Sequence, residues 1–214
     1  IAGARHLGGA LGHRLLEAGT RHQLVDQLPF ESALAFDALL QSAEDIGEIT
    51  VRRAKGRIEG LSIAIVGDVR HSRVARSAAQ AFTALGAGDV RIVAPPALMP
   101  DAGEFIGCSR HESLASGITG ADVVMMLRIQ KERMAAAAIP DEAHYFAEWG
   151  LTRERLRLAA ADAIVMHPQP MNRGVEIASD VADGPQSVIR DQVRHGVAVR
   201  MAVLETVLLR GDQP

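Results

Sequence analysis

Residues 61–77 read Leu61-Ser-Ile-Ala-Ile-Val-Gly-Asp-Val-Arg-His-Ser-Arg-Val-Ala-Arg-Ser77, an apolar run followed by a glycine and then by a cluster of cations. The continuous apolar run Leu61–Val66 is typical of a buried strand. The residues after it predict a helix from Ser72 to Leu85, which Gly86 ends. Because a strand followed at once by a helix is the repeating unit of α/β proteins, this stretch decides the predicted fold class.

The same alternation continues along the chain. Strands are predicted at Val90–Ala94, Val123–Leu127 and Ala163–Met166, and helices at Ser113–Ile118 and from Thr152 to about Ala160. Strands that alternate with helices are joined by right-handed crossovers and pair in parallel. The predicted fold class is therefore α/β, with a doubly wound, mostly parallel sheet flanked by helices.

The carboxyl-terminal segment is predicted to be helical. From Gln186 onward apolar residues recur at helical spacing, and Gly196 is expected to break this stretch in two. The basic residues between Arg52 and Arg57 are interpreted as the solvated end of an earlier helix, where cations are favourable.

The composition restricts the classes of function. The chain has 23 Lys and Arg against 26 Asp and Glu, so it lacks the positive charge that nucleic-acid binding needs. No apolar run approaches the length of a membrane span, and the single cysteine, Cys108, permits no internal disulfide. We therefore expect a cytoplasmic protein with neither nucleic acid nor a membrane as its partner.

Two cationic or turn-rich segments follow predicted strands, and small anions bind at the carboxyl ends of strands in open α/β sheets. In the first segment, Arg73 opens a helix near free backbone N–H groups, where a guanidinium can bind a carboxylate or phosphate. The alternative is that Arg73 and its neighbours Arg70, His71 and Arg76 are solvated side chains on a helix face.

A second arginine stands at the end of another predicted strand. Arg128 and Gln130 point to the same side because the strand period is two. An arginine and an amide together suit a carboxylate ligand, although Arg128 could simply cap the edge of the sheet.

The second segment begins His167-Pro168-Gln169-Pro170. Its two prolines fix the backbone, so the carbonyl groups of His167 and Gln169 are available as acceptors for an NH₂ group. The alternative is a merely structural turn, and His167 is interpreted as a packed residue at the strand end.

Other signals are weak. The glycines Gly8, Gly9 and Gly12 are not preceded by a strand, so a dinucleotide-binding loop is not favoured. The histidines show no metal-ligand spacing, and neither a metal nor a cofactor is predicted.

Taken together, these segments resemble the aspartate carbamoyltransferase catalytic chains, from about Thr50 to Leu209. The ornithine carbamoyltransferases of the same superfamily are a poorer match, because they carry His-Cys-Leu-Pro at the second turn. The matching segments are Thr50–Gly56, Ile63–Asp68, Asp122–Gln130, Tyr145–Thr152 and His167–Ile177.

The resemblance implies transfer of the carbamoyl group from carbamoyl phosphate to L-aspartate, in de novo pyrimidine biosynthesis. It implies that Arg73, Arg128 and Gln130 hold the carboxylates of L-aspartate, and that Gln169 and Pro170 bind carbamoyl phosphate. It further implies a homotrimer with sites between subunits, with regulatory or dihydroorotase-like subunits as further partners.

The resemblance also implies a division of the chain. Residues 1–54 are expected to be a divergent or truncated remnant of the carbamoyl-phosphate domain and linker helix, residues 55–186 the aspartate-binding domain, and residues 187–214 a helical segment. The family's Ser-Thr-Arg-Thr-Arg loop is absent, and Leu-Gln-Ser-Ala at 40–43 takes the place of its His-Pro-Thr-Gln motif. The alternative function is therefore a catalytically incomplete aspartate-binding or assembly module.

Overall fold

The computed structural model describes residues 46–129 and 141–211, with side chains as far as Met201. Residues 46–197 belong to one compact unit, and the last helix continues beyond it from Ala198. The strands are β1 (Ser62–Val66), β2 (Asp89–Val93), β3 (Ser109–His111), β4 (Val123–Met126) and β5 (Ile164–Met166). The helices are α1 (Ile46–Lys55), α2 (Arg73–Ala84), α3 (Leu114–Ile118), α4 (Glu142–Trp149), α5 (Arg153–Leu156), α6 (Ser179–Ala182) and α7 (Ile189–Gly211), with a short 3-10 helix at Pro96–Leu98.

The five strands form one parallel sheet in the order β3-β2-β1-β4-β5. The central strand β1 pairs on both sides, so that Ile63 lies opposite Val90 of β2 and Val123 of β4. The chain first moves outward from β1 to β3 and then returns to β4, which makes the gap between β1 and β4 the point where the strand order reverses. The α/β fold with a parallel sheet is confirmed, and ligands bind such folds at the carboxyl side of this reversal.

The core lies between the sheet and its helices. Residues 63–66 of β1 are fully buried, as expected for a strand in the middle of a parallel sheet. Helix α2 packs one face on the sheet through Ala75, Ala78, Ala79 and Phe82, which recur at helical spacing. Burial of a side chain the size of Phe82 stabilises the fold by about 1.5–3 kcal/mol, which anchors α2 and the turn before it.

Two predicted helix boundaries differ from the structure. Gly196 does not break the last helix, which is continuous from Ile189 to Gly211; a helical glycine costs only about 1 kcal/mol, and Gly196 lies buried. Helix α5 ends at Leu156 and not near Ala160, because Ala160 donates its N–H to Ala121 and so leaves the helical path.

The strand β3 was not predicted. Its three residues, Ser109–His111, contain no apolar side chain and pair only with β2 at the edge of the sheet. A polar three-residue segment carries no periodic signal, so only the pairing with β2 defines it as a strand.

Candidate substrate-binding site

Gly67 ends β1 at the point where the strand order reverses. Its φ is +121°, and a Cβ built there would lie 2.9 Å from the carbonyl oxygen of Leu127. Leu127 in turn donates its N–H to Val66 at 2.8 Å, so β1 and β4 leave the sheet side by side. A side chain at this position would separate the two strand ends, which explains why the chain has glycine here.

The turn between Gly67 and α2 is ordered by short-range hydrogen bonds. The fully buried Asp68 carboxylate accepts from the backbone N–H of His71 and lies 2.7 Å from His71 Nδ1. Ser72 caps α2, because its Oγ accepts a hydrogen bond from the N–H of Ala75 at 3.1 Å. Arg73 is the first residue of α2 and is exposed, so the helix start fixes the place from which its guanidinium extends.

Arg76 has a structural role in the same segment. Its guanidinium pairs with Glu104 at 2.6 Å and donates to the carbonyl oxygen of Arg70 at 3.0 Å. The hydrogen bond from Arg76 lowers the pKa of Glu104. Of the predicted cationic cluster, Arg76 therefore ties α2 to a neighbouring loop.

Arg128 follows β4, which ends at Met126. It is half-buried between two fully buried neighbours, Leu127 and Ile129. Since β4 pairs with β1 in parallel, Arg128 and Arg73 both follow the carboxyl ends of neighbouring strands, on the same side of the sheet. The third residue of the predicted aspartate set, Gln130, lies outside the described residues.

The turn after β5 is built around His167, whose side chain is fully buried as the sequence predicts. The N–H of Gln169 donates to His167 Nδ1 at 3.0 Å, and His167 Nε2 lies 3.2 Å from Glu176 Oε1. The N–H of His167 donates to Oε1 of Gln192 on α7 at 3.0 Å. Gln169 has a φ of 59° and is joined to Pro170 by a cis peptide bond, and both residues are exposed.

The three segments follow β1, β4 and β5, which are adjacent strands of the sheet. Parallel strands end at one edge, so Arg73, Arg128 and the Gln169–Pro170 backbone all leave the sheet on its carboxyl side. At about 4 Å and an effective dielectric constant near 20, one guanidinium attracts an anion by about 4 kcal/mol before desolvation is subtracted. This edge can therefore bind a small anionic ligand, with backbone carbonyl groups as additional acceptors.

An open cavity of about 350 Å³ adjoins the turn after β5. Gln169 lines it together with Arg173, Arg190 and Arg194. Arg173 forms two hydrogen bonds to Asp183, at 2.6 and 3.0 Å, and this contact lowers the pKa of Asp183. The cavity wall therefore carries cations that already have acidic partners, because Arg190 also lies 3.5 Å from Asp183 and Arg194 lies 3.4 Å from Asp191.

Several polar residues that support the site were not singled out from the sequence. Glu176, Gln192 and Tyr145 are all buried. Burial, together with the charges of Glu176 and Asp68, raises the pKa of Tyr145 well above its ordinary value, so its hydroxyl group stays protonated. Glu176 carried no sequence signal of burial, because a charged residue between Val175 and Ile177 is expected to face solvent by strand alternation.

Within residues 46–129 and 141–211, no group of three or more His, Cys, Asp or Glu side chains is placed to hold a metal ion. None of the helices in these ranges is both long and apolar enough to cross a membrane.

The sequence model of the aspartate/ornithine carbamoyltransferase Asp/Orn-binding domain matches residues 59–207, which include all the strands and turns described above. The chain belongs to the aspartate/ornithine carbamoyltransferase family. Among curated members of this family, the aspartate carbamoyltransferase catalytic subunit of Brucella ovis is 59% identical over 160 residues, which is 75% of this chain and 49% of that protein. The corresponding subunit of Rhizobium meliloti is 55% identical over 165 residues, or 77% of this chain and 52% of that protein. The chain thus spans about half the length of the curated carbamoyltransferases it matches.

Solved carbamoyltransferase structures have the same fold. Ornithine carbamoyltransferase from Pyrococcus furiosus matches with a TM-score of 0.65 and 28% identity, over 76% of this chain and 54% of that chain. Aspartate transcarbamoylase from Trypanosoma cruzi, in complex with N-(phosphonacetyl)-L-aspartic acid, matches with a TM-score of 0.64 and 29% identity, again over 76% and 54%. The fold alone does not separate the two activities, whereas the curated relatives quoted above are aspartate carbamoyltransferase subunits.

Proposed function

We propose that this chain forms the L-aspartate-binding half of an aspartate carbamoyltransferase. The observation that carries the proposal is the position of Arg73, Arg128 and the Gln169–Pro170 turn on three adjacent strand ends, within a domain of this family. In the proposed complex, Arg73, Arg128 and Gln130 hold the two carboxylates of L-aspartate. The backbone carbonyl groups at Gln169 and Pro170 accept hydrogen bonds from the NH₂ group of carbamoyl phosphate.

The proposed reaction joins two anions. The α-amino group of L-aspartate attacks the carbamoyl carbon, the bond from that carbon to the phosphate oxygen breaks, and the amine loses a proton. The products are N-carbamoyl-L-aspartate and phosphate. Catalysis would depend on positioning and on neutralisation of negative charge by guanidinium groups, with no covalent enzyme intermediate.

For the whole protein, we propose a division of the chain into three parts and an assembly of several subunits. Residues 1–54 would belong to the carbamoyl-phosphate side, residues 55–186 to the aspartate-binding domain, and residues 187–214 to a carboxyl-terminal helical segment. The assembled enzyme would be a cytoplasmic homotrimer of the pyrimidine pathway, with regulatory or dihydroorotase-like subunits as further partners. Light scattering of the purified chain tests the trimer directly.

A second candidate function is a binding or assembly module without turnover. It is favoured by Leu-Gln-Ser-Ala at 40–43, which stands where the family has its His-Pro-Thr-Gln motif. The purified chain distinguishes the two functions: formation of carbamoyl aspartate supports the enzyme, whereas L-aspartate binding without product supports the module.

The substitution Arg128→Ala tests the proposed aspartate site. We expect the affinity for L-aspartate, measured by calorimetric titration, to fall about 100-fold, because an ionic partner of a carboxylate is removed. The fold should persist, with an unchanged far-ultraviolet circular dichroism spectrum.

The matched control is Arg153→Ala. Arg153 is exposed and pairs with Asp180 at 3.1 Å, and neither residue belongs to the segments that carry the proposed ligands. This variant should bind L-aspartate as the unchanged chain does. Equal affinity in the Arg128 and Arg153 variants would remove Arg128 from the site.

A further inference from the structure

Glu176 is a fully buried acidic residue in a turn without regular secondary structure. Its Oε1 accepts a hydrogen bond from the backbone N–H of Asn172 and lies 3.2 Å from His167 Nε2. Its own carbonyl oxygen accepts from the N–H of Leu151 at 2.9 Å, which ties this part of the turn to the chain between α4 and α5. One carboxylate oxygen therefore holds two points of the turn that flank Gln169 and Pro170.

The hydrogen bonds around His167 determine its tautomer. The N–H of Gln169 donates to Nδ1 at 3.0 Å, so Nδ1 has no proton. The ring proton then lies on Nε2, which donates it to Glu176 Oε1. Glu176 thereby acts on the backbone of Gln169 through the imidazole ring of His167.

Gln169 needs this support because of its backbone conformation. Its φ of 59° is in the left-handed region, which a residue with a side chain adopts only where its surroundings impose it. The surroundings on the amino-terminal side are the imidazole of His167 and, through the N–H of His167, the side chain of Gln192. On the carboxyl-terminal side, the bond from Asn172 to Glu176 closes the turn.

We propose that Glu176 is a positioning residue, whose carboxylate orients the backbone carbonyl groups at Gln169 and Pro170 toward the ligand. This inference rests on the proposed function, because it takes these carbonyl groups to bind the carbamoyl NH₂ group. Glu176 itself is buried beneath the turn and is assigned no contact with the ligand. Substitution of Glu176 should therefore weaken the binding of carbamoyl phosphate far more than that of L-aspartate, whose proposed partners follow β1 and β4.

The first test requires no ligand and uses the full chain labelled with ¹⁵N. We expect the histidine spectra to show His167 as the Nε2–H tautomer. We also expect slow hydrogen exchange at the Gln169 amide, which Glu176→Leu abolishes and Glu176→Gln retains, since the amide oxygen can still accept both bonds. An Nδ1–H tautomer, or an equally protected Gln169 amide in the Leu variant, would overturn the proposal whether or not the chain binds carbamoyl phosphate.

The second test measures ligand affinity. Glu176→Leu should weaken carbamoyl phosphate binding about tenfold, the effect of one net hydrogen bond to a charged group, and leave L-aspartate binding within about twofold. Glu176→Gln should keep the affinity for carbamoyl phosphate within about threefold of that of the unchanged chain. Equal weakening for both ligands would show a general loss of structure and would contradict a positioning role.

The matched control is Asp122→Leu. The Asp122 carboxylate also accepts a hydrogen bond from a backbone N–H, that of Ser62 at 2.8 Å. Asp122 comes just before β4, however, and so lies at the amino-terminal ends of the strands. This variant should lose stability and keep both affinities and the protection of the Gln169 amide. If the unchanged chain binds L-aspartate but not carbamoyl phosphate, the module without turnover is supported in place of the enzyme, while the exchange and tautomer results still decide the role of Glu176.

Discussion

The turns after β1 and β5 lie at the same edge of the sheet and are stabilised differently. The chain after β1 enters a long helix at Arg73, and the N–H groups of Gly67, Val69, Arg70 and Ser72 before it donate to backbone carbonyl groups. The chain after β5 meets no helix until Ser179, and its backbone groups are satisfied largely by buried side chains. The first turn is thus held mainly by backbone hydrogen bonds, with one buried side chain, Asp68, and the second mainly by the side chains of His167, Glu176 and Gln192.

This difference determines how each turn responds to substitution. A turn held by backbone hydrogen bonds is sensitive to substitution where its backbone is crowded, because closely packed atoms have little room to move. A turn held by a few buried polar groups is sensitive at those groups, because each one left without a partner is costly. The proposed ligand Arg73 therefore follows a turn held mainly by backbone hydrogen bonds, whereas the carbonyl ligands depend on a small hydrogen-bonded network of buried side chains.

The largest expected effect is on stability, and it differs between two glycines, one in each turn. Gly67→Ala should lower the free energy of unfolding by about 3 kcal/mol, because the backbone conformation is strained and the new Cβ meets the Leu127 carbonyl group. Gly174→Ala should cost about 1 kcal/mol, since φ is +78° but nothing lies within 4 Å of the new Cβ. Urea denaturation measures both, and equal losses would show that crowding at Gly67 does not limit the first turn.

A smaller effect is expected at the cap of α2. Ser72→Ala should lower the free energy of unfolding by about 1 kcal/mol, because the N–H of Ala75 loses its acceptor. It should also weaken L-aspartate binding about twofold to threefold, because Arg73 is the next residue and lies in the helical turn that Ser72 caps.

The matched cap is Thr152, which accepts from the N–H of Arg155 at the start of α5. Thr152→Ala should cost about the same stability and leave L-aspartate binding unchanged. If both variants bind L-aspartate as the unchanged chain does, the order of the first helical turn is unimportant for the site.

The smallest effect concerns the exposed ion pair beside the second turn. The hydrogen bond from Arg173 lowers the pKa of Asp183, so Arg173→Gln should return that pKa toward its ordinary value of 3.8. A carboxyl group with a lowered pKa in the folded state stabilises the fold above pH 3.8, and this contribution is lost as the pH falls through the lowered value. Titration of the Asp183 carboxyl carbon by NMR measures the shift.

Arg153→Gln serves as the control for this titration, because Arg153 pairs with Asp180 and not with Asp183. An Asp183 pKa that is unchanged by Arg173→Gln would mean that the ion pair does not persist in solution. Exposed pairs of this kind contribute little to stability, so no large change in unfolding is expected from either variant.

Much of the fold could be predicted because its signals are local. The apolar runs of β1, β2, β4 and β5 and the predicted helix starts at Ser72 and Thr152 mark elements whose positions the structure confirms to within a few residues. The strand β3 could not be predicted, because it depends on pairing with β2 and not on its own side chains. The continuous helix through Gly196 likewise reflects packing that outweighs a local glycine cost.

The sequence singled out the strand-end residues of the candidate site, the buried His167 included, and missed the buried partners of His167. Arg73, Arg128, Gln169 and Pro170 could be found, since cations and prolines at strand ends are visible along the sequence. The positions of Arg73 and Arg128 as ligands remain predictions, and Gln130 lies outside the described residues. The partners Glu176 and Gln192 are distant from His167 in sequence, so their roles depend on contacts that the order of residues does not reveal.

The sequence by itself determined the α/β class, the strand-end cations and the family, because apolar periodicity and short motifs are properties of neighbouring residues. Only the tertiary structure decided that β1, β4 and β5 lie side by side, so that three separate turns reach one edge. It also showed which buried groups hold the second turn in place. Pairing between strands and burial of polar groups depend on distances between remote residues, and these distances exist only after the chain has folded.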